Sequence, residues 1–182
     1  MSSLLRKLSK LVDQRYLKKV GATPIPGSTE KLLLLCFHPY LGKKSVRVND
    51  TLLIEQNELV GEFHLSNSRI LEIAAEKSER SMEWRILEIL KHEFGCLAKV
   101  CQTEQISSSI RGFYGVLVLA AGARRLGFTL IPLPKGFFSW WVSFWESMLR
   151  RINYSYQTKK KPKKMPSYEV WISREELLRR YQ

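Results

Sequence analysis

The chain has 182 residues, 45% of them hydrophobic, and this length and composition favour a folded core and exclude a disordered protein. Its longest apolar run, residues 116–121, is far shorter than the roughly 20 residues of a membrane-spanning helix, and the N-terminus lacks the continuous apolar segment of a secretory signal. The formal net charge of +13 lies mostly at the ends: residues 1–20 hold six Lys/Arg against one Asp, and residues 150–182 hold ten against three Glu. Such ends favour contact with an anionic membrane surface or nucleic acid.

The cysteines point to a cytoplasmic protein. There are three, an odd number, and they form no C-x-x-C pair, which favours reduced thiols. Cys36 lies within an apolar run and is interpreted as a small core residue. Because the ends are basic, the inner face of the cell membrane is a further expected location.

The first half of the chain is predicted to contain one helix followed by short strands. Residues 1–20 form a basic amphipathic helix, with leucines on one face and most cations elsewhere. Apolar runs separated by turn residues then predict strands, at residues 32–38, 45–48, 51–54 and 59–65. Their close spacing predicts an antiparallel meander.

In the second half the spacing of apolar residues changes to that of helices. Helices are predicted at residues 67–77, 81–101, 111–126 and 137–152, with a basic loop at 155–166. Strands are predicted at residues 128–133 and 168–172, and a final helix begins at Ser173. Ser66 or Asn67 can cap the first of these helices. The sequence therefore predicts an α+β fold, with a single domain at residues 21–182 in which several helices pack on a mixed or antiparallel sheet.

A candidate catalytic site lies in the strand at residues 59–65. Alternation along a strand places Glu62 and His64 on one face and Phe63 on the other. Histidine titrates near neutrality and a neighbouring carboxylate can hold its tautomer, so Glu62 and His64 form a candidate general acid–base pair. The structural alternative is a histidine bonded to backbone at the end of a strand, with Glu62 paired to a surface cation.

Arg124 and Arg125 form a candidate anion-binding site in the last turn of the helix predicted at 111–126. They either interact with the carbonyl end of that helix or clamp a phosphate or carboxylate. The other histidines, His38 and His92, are predicted to be structural or solvated. No metal-ligand spacing, phosphate-binding loop or dinucleotide motif occurs, so the sequence predicts neither a metal nor a cofactor.

Two groups of residues form a predicted membrane surface. The first comprises tryptophans of the helix at 137–152: Trp140, Trp141 and Trp145. The second comprises lysines of the basic loop: Lys159, Lys160, Lys161, Lys163 and Lys164. Two interpretations of the tryptophans stay open, because large aromatics on one helix face suit either a packed core or a membrane–water boundary. At such a boundary each lysine would contribute about 1 kcal/mol near anionic headgroups.

Several segments in order along residues 10–181 carry a family resemblance. They are Gly61–Leu65 followed by Asn67, Gly112–Gly115, Gly122–Phe128 and Val170–Ser173. The set resembles the bacterial YkoP-like domain family, whose members are standalone proteins or modules attached to polysaccharide deacetylase domains. The resemblance implies a link to cell-envelope carbohydrate and carries over no catalytic residue.

Three functional hypotheses follow. The first is a peripheral membrane-associated accessory factor in cell-envelope polysaccharide metabolism, whose partners are an anionic membrane surface and enzymes of that metabolism. The second is a small transferase or hydrolase in which Glu62 and His64 share a pocket with the anion clamp Arg124 or Arg125. The third, nucleic-acid binding through the basic ends, ranks last because the chain has no recognised nucleic-acid motif. The sequence leaves the oligomeric state open.

Overall fold

The computed structural model describes residues 15–49, 51–76, 78–103, 105–117, 120–133 and 168–182. The strands of this part of the chain are β1 (Thr23–Pro24), β2 (Leu33–Pro39), β3 (Val46–Val48), β4 (Leu52–Ile54), β5 (Leu59–Leu65), β6 (Gly112–Leu117), β7 (Thr129–Pro132) and β8 (Tyr168–Ser173). The helices are α1 (residues 15–20), α2 (Asn67–Ala75), α3 (Met82–Gln102), α4 (Ala120–Arg125) and α5 (Arg174–Tyr181). The predicted α+β fold is confirmed.

Six of the strands form one mixed sheet in the order β1-β2-β5-β6-β8-β7. β5 and β6 pair in parallel, and the other neighbours in this sheet are antiparallel. A parallel pair needs a long crossover connection, and here α2 and α3 lie within it. β3 and β4 form a separate two-stranded hairpin.

One face of the sheet, which we call the helix face, carries the main hydrophobic core. Phe63 of β5 stacks on Phe113 of β6 with ring centroids 5.8 Å apart. Phe94 of α3 and Phe128 pack with ring edges toward Phe63. Such aromatic pairs contribute about 0.5–1.5 kcal/mol each beyond the burial of their area. Buried residues of α3, α4 and α5 belong to the same core, so these three helices cover this face.

The opposite face, which we call the hairpin face, is partly covered by the β3–β4 hairpin. Val48 and Ile54 of the hairpin pack in a second core cluster with Val60 of β5 and Trp171 of β8, and all four are fully buried. Tyr40 packs its ring edge against Trp171 at 5.3 Å. The hairpin therefore buries apolar positions of the sheet next to the polar positions of β2 and β5.

A buried carboxylate joins α3 to the start of β2. Glu93 is fully buried within α3 and accepts hydrogen bonds from the backbone N–H groups of Leu32 at 3.1 Å and Leu33 at 2.6 Å. The Ser28 hydroxyl also donates to this carboxylate. Buried backbone donors need such partners, so Glu93 holds in place the segment that leads into β2.

Serine side chains cap three helices, and for those that begin after Ser66 and Ser173 a cap was predicted from the sequence. The hydroxyls of Ser66, Ser81 and Ser173 each accept a hydrogen bond from the backbone N–H three residues later. An N-cap of this kind stabilises a helix by about 1 kcal/mol. Of the two candidates for the cap of α2, Ser66 has the role, and Asn67 is the first helical residue.

Two topological predictions are wrong. Residues 111–126 do not form one helix, because Gly112–Leu117 is the strand β6 and only Ala120–Arg125 is helical. The aromatic residues Phe113 and Tyr114 suit a strand between two neighbours, where they pack on opposite faces of the sheet. The predicted meander is also wrong, because β2 pairs directly with β5 and the hairpin between them lies in its own sheet.

Several predicted elements lie outside the described residues, namely residues 1–14 of the N-terminal helix, the tryptophan-rich helix at 137–152 and the basic loop at 155–166. The boundary between residues 20 and 21 stays a prediction. Among the helices of the described ranges, none combines the length and apolar character that crossing a membrane requires.

Candidate functional site

Five side chains that can exchange protons meet on the hairpin face where β2, β5 and β6 lie side by side. We call this group the sheet-face cluster, and its members are Cys36, His38, Glu62, His64 and Tyr114. In strand register Cys36 lies opposite Glu62, which in turn lies opposite Tyr114. His38 and His64 are each two residues along a strand from this row, and strand alternation therefore directs all five side chains to one face.

Glu62 occupies the centre of the cluster. Its Oε2 lies 2.9 Å from Nε2 of His38 and 3.7 Å from Nε2 of His64. The hydroxyl of Tyr114 lies 3.2 Å from the same His38 nitrogen. The contacts of Glu62 and His38 thus connect two imidazoles, a carboxylate and a phenol on three adjacent strands.

Both ring nitrogens of His38 have polar partners. Nδ1 lies 2.7 Å from the Pro39 carbonyl oxygen, which can accept a hydrogen bond from it. Nε2 lies 2.9 Å from Oε2 of Glu62 and 3.2 Å from the Tyr114 hydroxyl. With 26% of its side chain exposed, the His38 imidazole can contact a bound molecule.

Cys36 and His64 form the more deeply buried side of the cluster. Cys36 Sγ lies 3.5 Å from His64 Nε2, and the ring edge of Tyr16 in α1 packs against His64 with centroids 5.7 Å apart. Burial, followed by the charge of Glu62, raises the pKa of the Cys36 thiol to about 11. The same two causes raise the pKa of Tyr114. Burial therefore keeps both groups in their neutral forms, and the nearby carboxylate adds to this effect.

An aromatic stack supports the cluster from the side of β8. Tyr114 stacks on Trp171 with ring centroids 4.6 Å apart, and Trp171 is fully buried. Tyr40 contacts both rings with its edge. The phenol of Tyr114 is thus held in one position relative to His38 and Glu62.

The family of the chain can now be stated. A model of the YkoP domain matches residues 2–181. The chain belongs to the YkoP domain family. No significant match was found among curated proteins or among solved structures. The match spans every described strand and helix of the YkoP domain and all five members of the sheet-face cluster, so the family expected from the sequence motifs is confirmed.

The YkoP domain brings Glu62 and His64 together but leaves Arg124 and Arg125 apart from them. Both arginines lie in the last turn of α4, whose buried Ala123 packs in the core of the helix face. Arg125 lines a shallow cavity with Lys91 of α3 and residues of α5. This cavity is on the other side of the sheet from the cluster, so the structure does not show the common pocket. Anion binding by these arginines stays a prediction.

Three members of the cluster are not predicted from the sequence: it predicts His38 to be structural or solvated, Cys36 to be a core residue and Tyr114 to lie in a helix. The signal that points to the first two is a repeated spacing, because Cys36 and His38 are two residues apart, as are Glu62 and His64. In paired strands such spacing puts all four on one face. The eight residues predicted to contact a membrane, among them Trp140 and Lys159, lie outside the described part of the chain.

Proposed function

We propose that this YkoP domain is a small hydrolase or transferase whose reaction centre is the sheet-face cluster. The observation that carries the proposal is the 2.9 Å contact between Nε2 of His38 and Oε2 of Glu62, which pairs a partly exposed imidazole with a carboxylate. General acid–base catalysis uses such a group, positioned within hydrogen-bond reach of the reacting atom.

The two residues have different roles in this proposal. His38 has the more exposed side chain of the pair and delivers or accepts the proton. Glu62 orients the imidazole and stabilises its protonated form, as a carboxylate partner of a catalytic histidine does. Tyr114 adds a hydroxyl 3.2 Å from the same His38 nitrogen, which completes a hydrogen-bonded group of three.

The proposal predicts loss of activity on removing either partner of the contact between His38 and Glu62. The purified full-length protein is assayed for hydrolysis of nitrophenyl esters, phosphates and glycosides. His38→Asn and Glu62→Gln are expected to lower kcat/KM by about 10²–10⁴-fold, the usual contribution of general acid–base catalysis. His92→Asn, which changes an exposed histidine on α3, serves as the control and keeps the wild-type rate. Equal rates in all three variants, or no hydrolysis of any probe, would contradict the proposal.

We also propose that the protein associates peripherally with the inner face of the cell membrane as an accessory factor in cell-envelope polysaccharide metabolism. The charge distribution supports the membrane part, since ten Lys/Arg against three Glu lie in residues 150–182. Near an anionic leaflet each cation contributes about 1 kcal/mol. The polysaccharide part rests on the family resemblance.

Membrane association predicts salt-sensitive cosedimentation with vesicles of anionic lipid and none with neutral vesicles. Replacing the five lysines of the basic loop by glutamine is expected to abolish it, because the attraction comes from their charge. The matched control replaces five exposed lysines elsewhere: Lys31, Lys43, Lys44, Lys91 and Lys99. Equal loss of binding in both variants would show only a general effect of net charge and would contradict a role for the loop.

A further inference from the structure

We propose that Cys36, Glu62 and His64 bind a divalent transition-metal ion such as zinc. The inference deepens the proposed enzymatic function because it concerns the same cluster, and it rests on that function only for the chemical role of the ion. The sequence predicts no metal, because no metal-ligand spacing occurs along the chain. In the proposed site the ligands come from two paired strands instead.

The distances between the donor atoms suit a small ion. Cys36 Sγ, a carboxylate oxygen of Glu62 and a ring nitrogen of His64 all lie within 4.8 Å of one another. Sγ is 3.5 Å from Nε2 of His64, and this nitrogen is 3.7 Å from Oε2 of Glu62. In a tetrahedral zinc site with bonds of about 2.0–2.3 Å, neighbouring ligand atoms are separated by about 3.3–3.7 Å. Two of the three donor separations therefore already match those of a tetrahedral site.

The backbone holds these donors in place before any ion binds. Cys36 is paired directly with Glu62 across β2 and β5, and His64 is paired with Leu34, one position along the same face. Both strands lie inside the six-stranded sheet and are hydrogen-bonded on each side. Ligands on rigid paired strands keep their geometry better than ligands on loops.

The donor set selects the class of metal. A thiolate and a carboxylate supply two negative charges, which balance the charge of a divalent ion, and an imidazole completes the set. Thiolate and imidazole favour zinc and cobalt, whereas magnesium and calcium prefer sites made of oxygen atoms.

Neighbouring groups complete the site around the three ligands. His38 contacts Glu62 at 2.9 Å, as an outer partner of a metal ligand commonly does, and Tyr114 contacts His38 at 3.2 Å. Three protein ligands are the number found in catalytic zinc sites, whose fourth position is left to water or substrate. His38 contacts Glu62 and has 26% of its side chain exposed, so it would be the group that exchanges a proton with a molecule bound to the ion.

The test is a titration of metal-free full-length protein with Co²⁺ alone, followed by competition with Zn²⁺. Wild type is expected to bind one Co²⁺ per chain, with a thiolate-to-cobalt charge-transfer band in the near ultraviolet and visible bands of tetrahedral intensity. Zn²⁺ should remove these bands. Cys36→Ser should abolish the charge-transfer band. Glu62→Gln and His64→Asn should each lower affinity by more than the roughly 10–100-fold typical of an outer-shell change.

Cys96→Ser is the matched control, because Cys96 lies on α3 outside the cluster and its variant should bind cobalt as wild type does. Circular dichroism confirms that each variant is folded, and Cys36→Ala provides a second test at this position. A wild-type protein without a thiolate band, or a band that survives both Cys36 variants, would overturn the proposal. These readouts need no substrate, so they separate the metal site from the enzymatic function. If wild type binds cobalt as expected and His38→Asn hydrolyses the probes at the wild-type rate, the metal site stands and only the enzymatic function is rejected.

Discussion

Replacing Glu93 by alanine is expected to lower the free energy of unfolding by about 3–5 kcal/mol, because each buried donor left without its partner costs about 1–3 kcal/mol. The fully buried carboxylate is the acceptor for the N–H groups of Leu32 and Leu33 and for the Ser28 hydroxyl. Glu93→Gln keeps one acceptor oxygen but places an amide NH₂ group, which cannot accept, next to these donors. It is therefore expected to lower the free energy of unfolding by about 2–3 kcal/mol. Urea denaturation with linear extrapolation measures both values.

Glu88→Ala is the control for this measurement, since Glu88 is an exposed glutamate on the same helix. Its partner is Arg80, 3.1 Å away at the surface, and such a pair contributes about 0–1 kcal/mol. If Glu93→Ala costs no more than Glu88→Ala, the carboxylate does not stabilise the start of β2. The result bears on the site, because the segment held by Glu93 leads directly into the strand that carries Cys36 and His38.

Replacing Trp171 by alanine is expected to cost about 3–5 kcal/mol of stability, the range measured when a large buried aromatic side chain is truncated. Trp171 is fully buried between the hairpin and the sheet, stacks on Tyr114 at 4.6 Å and donates its indole N–H to Glu169 at 3.1 Å. Trp171→Phe keeps a ring in the stack and should cost less. Thermal and urea unfolding, followed by circular dichroism, measure these effects.

Trp84 on α3 is the matched control, because 42% of it is exposed and Arg80 lies over its ring at 4.2 Å. An exposed cation–π contact of this kind is worth about 0.5–1 kcal/mol, so Trp84→Ala should destabilise the protein far less. Equal costs for the two tryptophans would contradict the role of Trp171 as the centre of the second core cluster. A folded Trp171→Phe variant also tests whether the stack positions Tyr114 in the sheet-face cluster.

These two buried residues support the cluster from opposite ends of the sheet. Glu93 fixes the entry to β2, and Trp171 fixes Tyr114 on β6 through the aromatic stack. The strands between them place Glu62 opposite both Cys36 and Tyr114. A site built in this way is ordered by strand pairing rather than by loops.

Local patterns in the sequence were sufficient for most elements and for part of the site. The alternation of residues 59–65 places Glu62 and His64 on the face opposite Phe63, and the structure has this arrangement. Serine before an apolar helical run identifies the start of α2, α3 and α5. These features depend on neighbours within a few residues, and backbone sterics and capping hydrogen bonds decide them.

Local patterns give the wrong structure for a segment whose conformation depends on its neighbours in the fold. The run at 112–117 contains two glycines, two aromatics and aliphatic residues, and small aliphatic content suggested a helix. Between β5 and β8 the same residues complete a sheet, because Phe113 fills the core and Tyr114 joins the opposite face. Strand preference depends on such neighbours more than helix preference does.

The sequence by itself determined the α+β class, the family, the basic ends and the placement of Glu62 and His64 on one face of a strand. Only the tertiary structure decided that Cys36, His38 and Tyr114 join them in one site and that Arg124 and Arg125 do not. Cys36 and His64 are 28 positions apart, and His38 and Tyr114 are 76 apart. The register between β2, β5 and β6 brings these residues together. That register follows from burial of both faces of the sheet, because a shift by one residue would turn the apolar side chains away from the core.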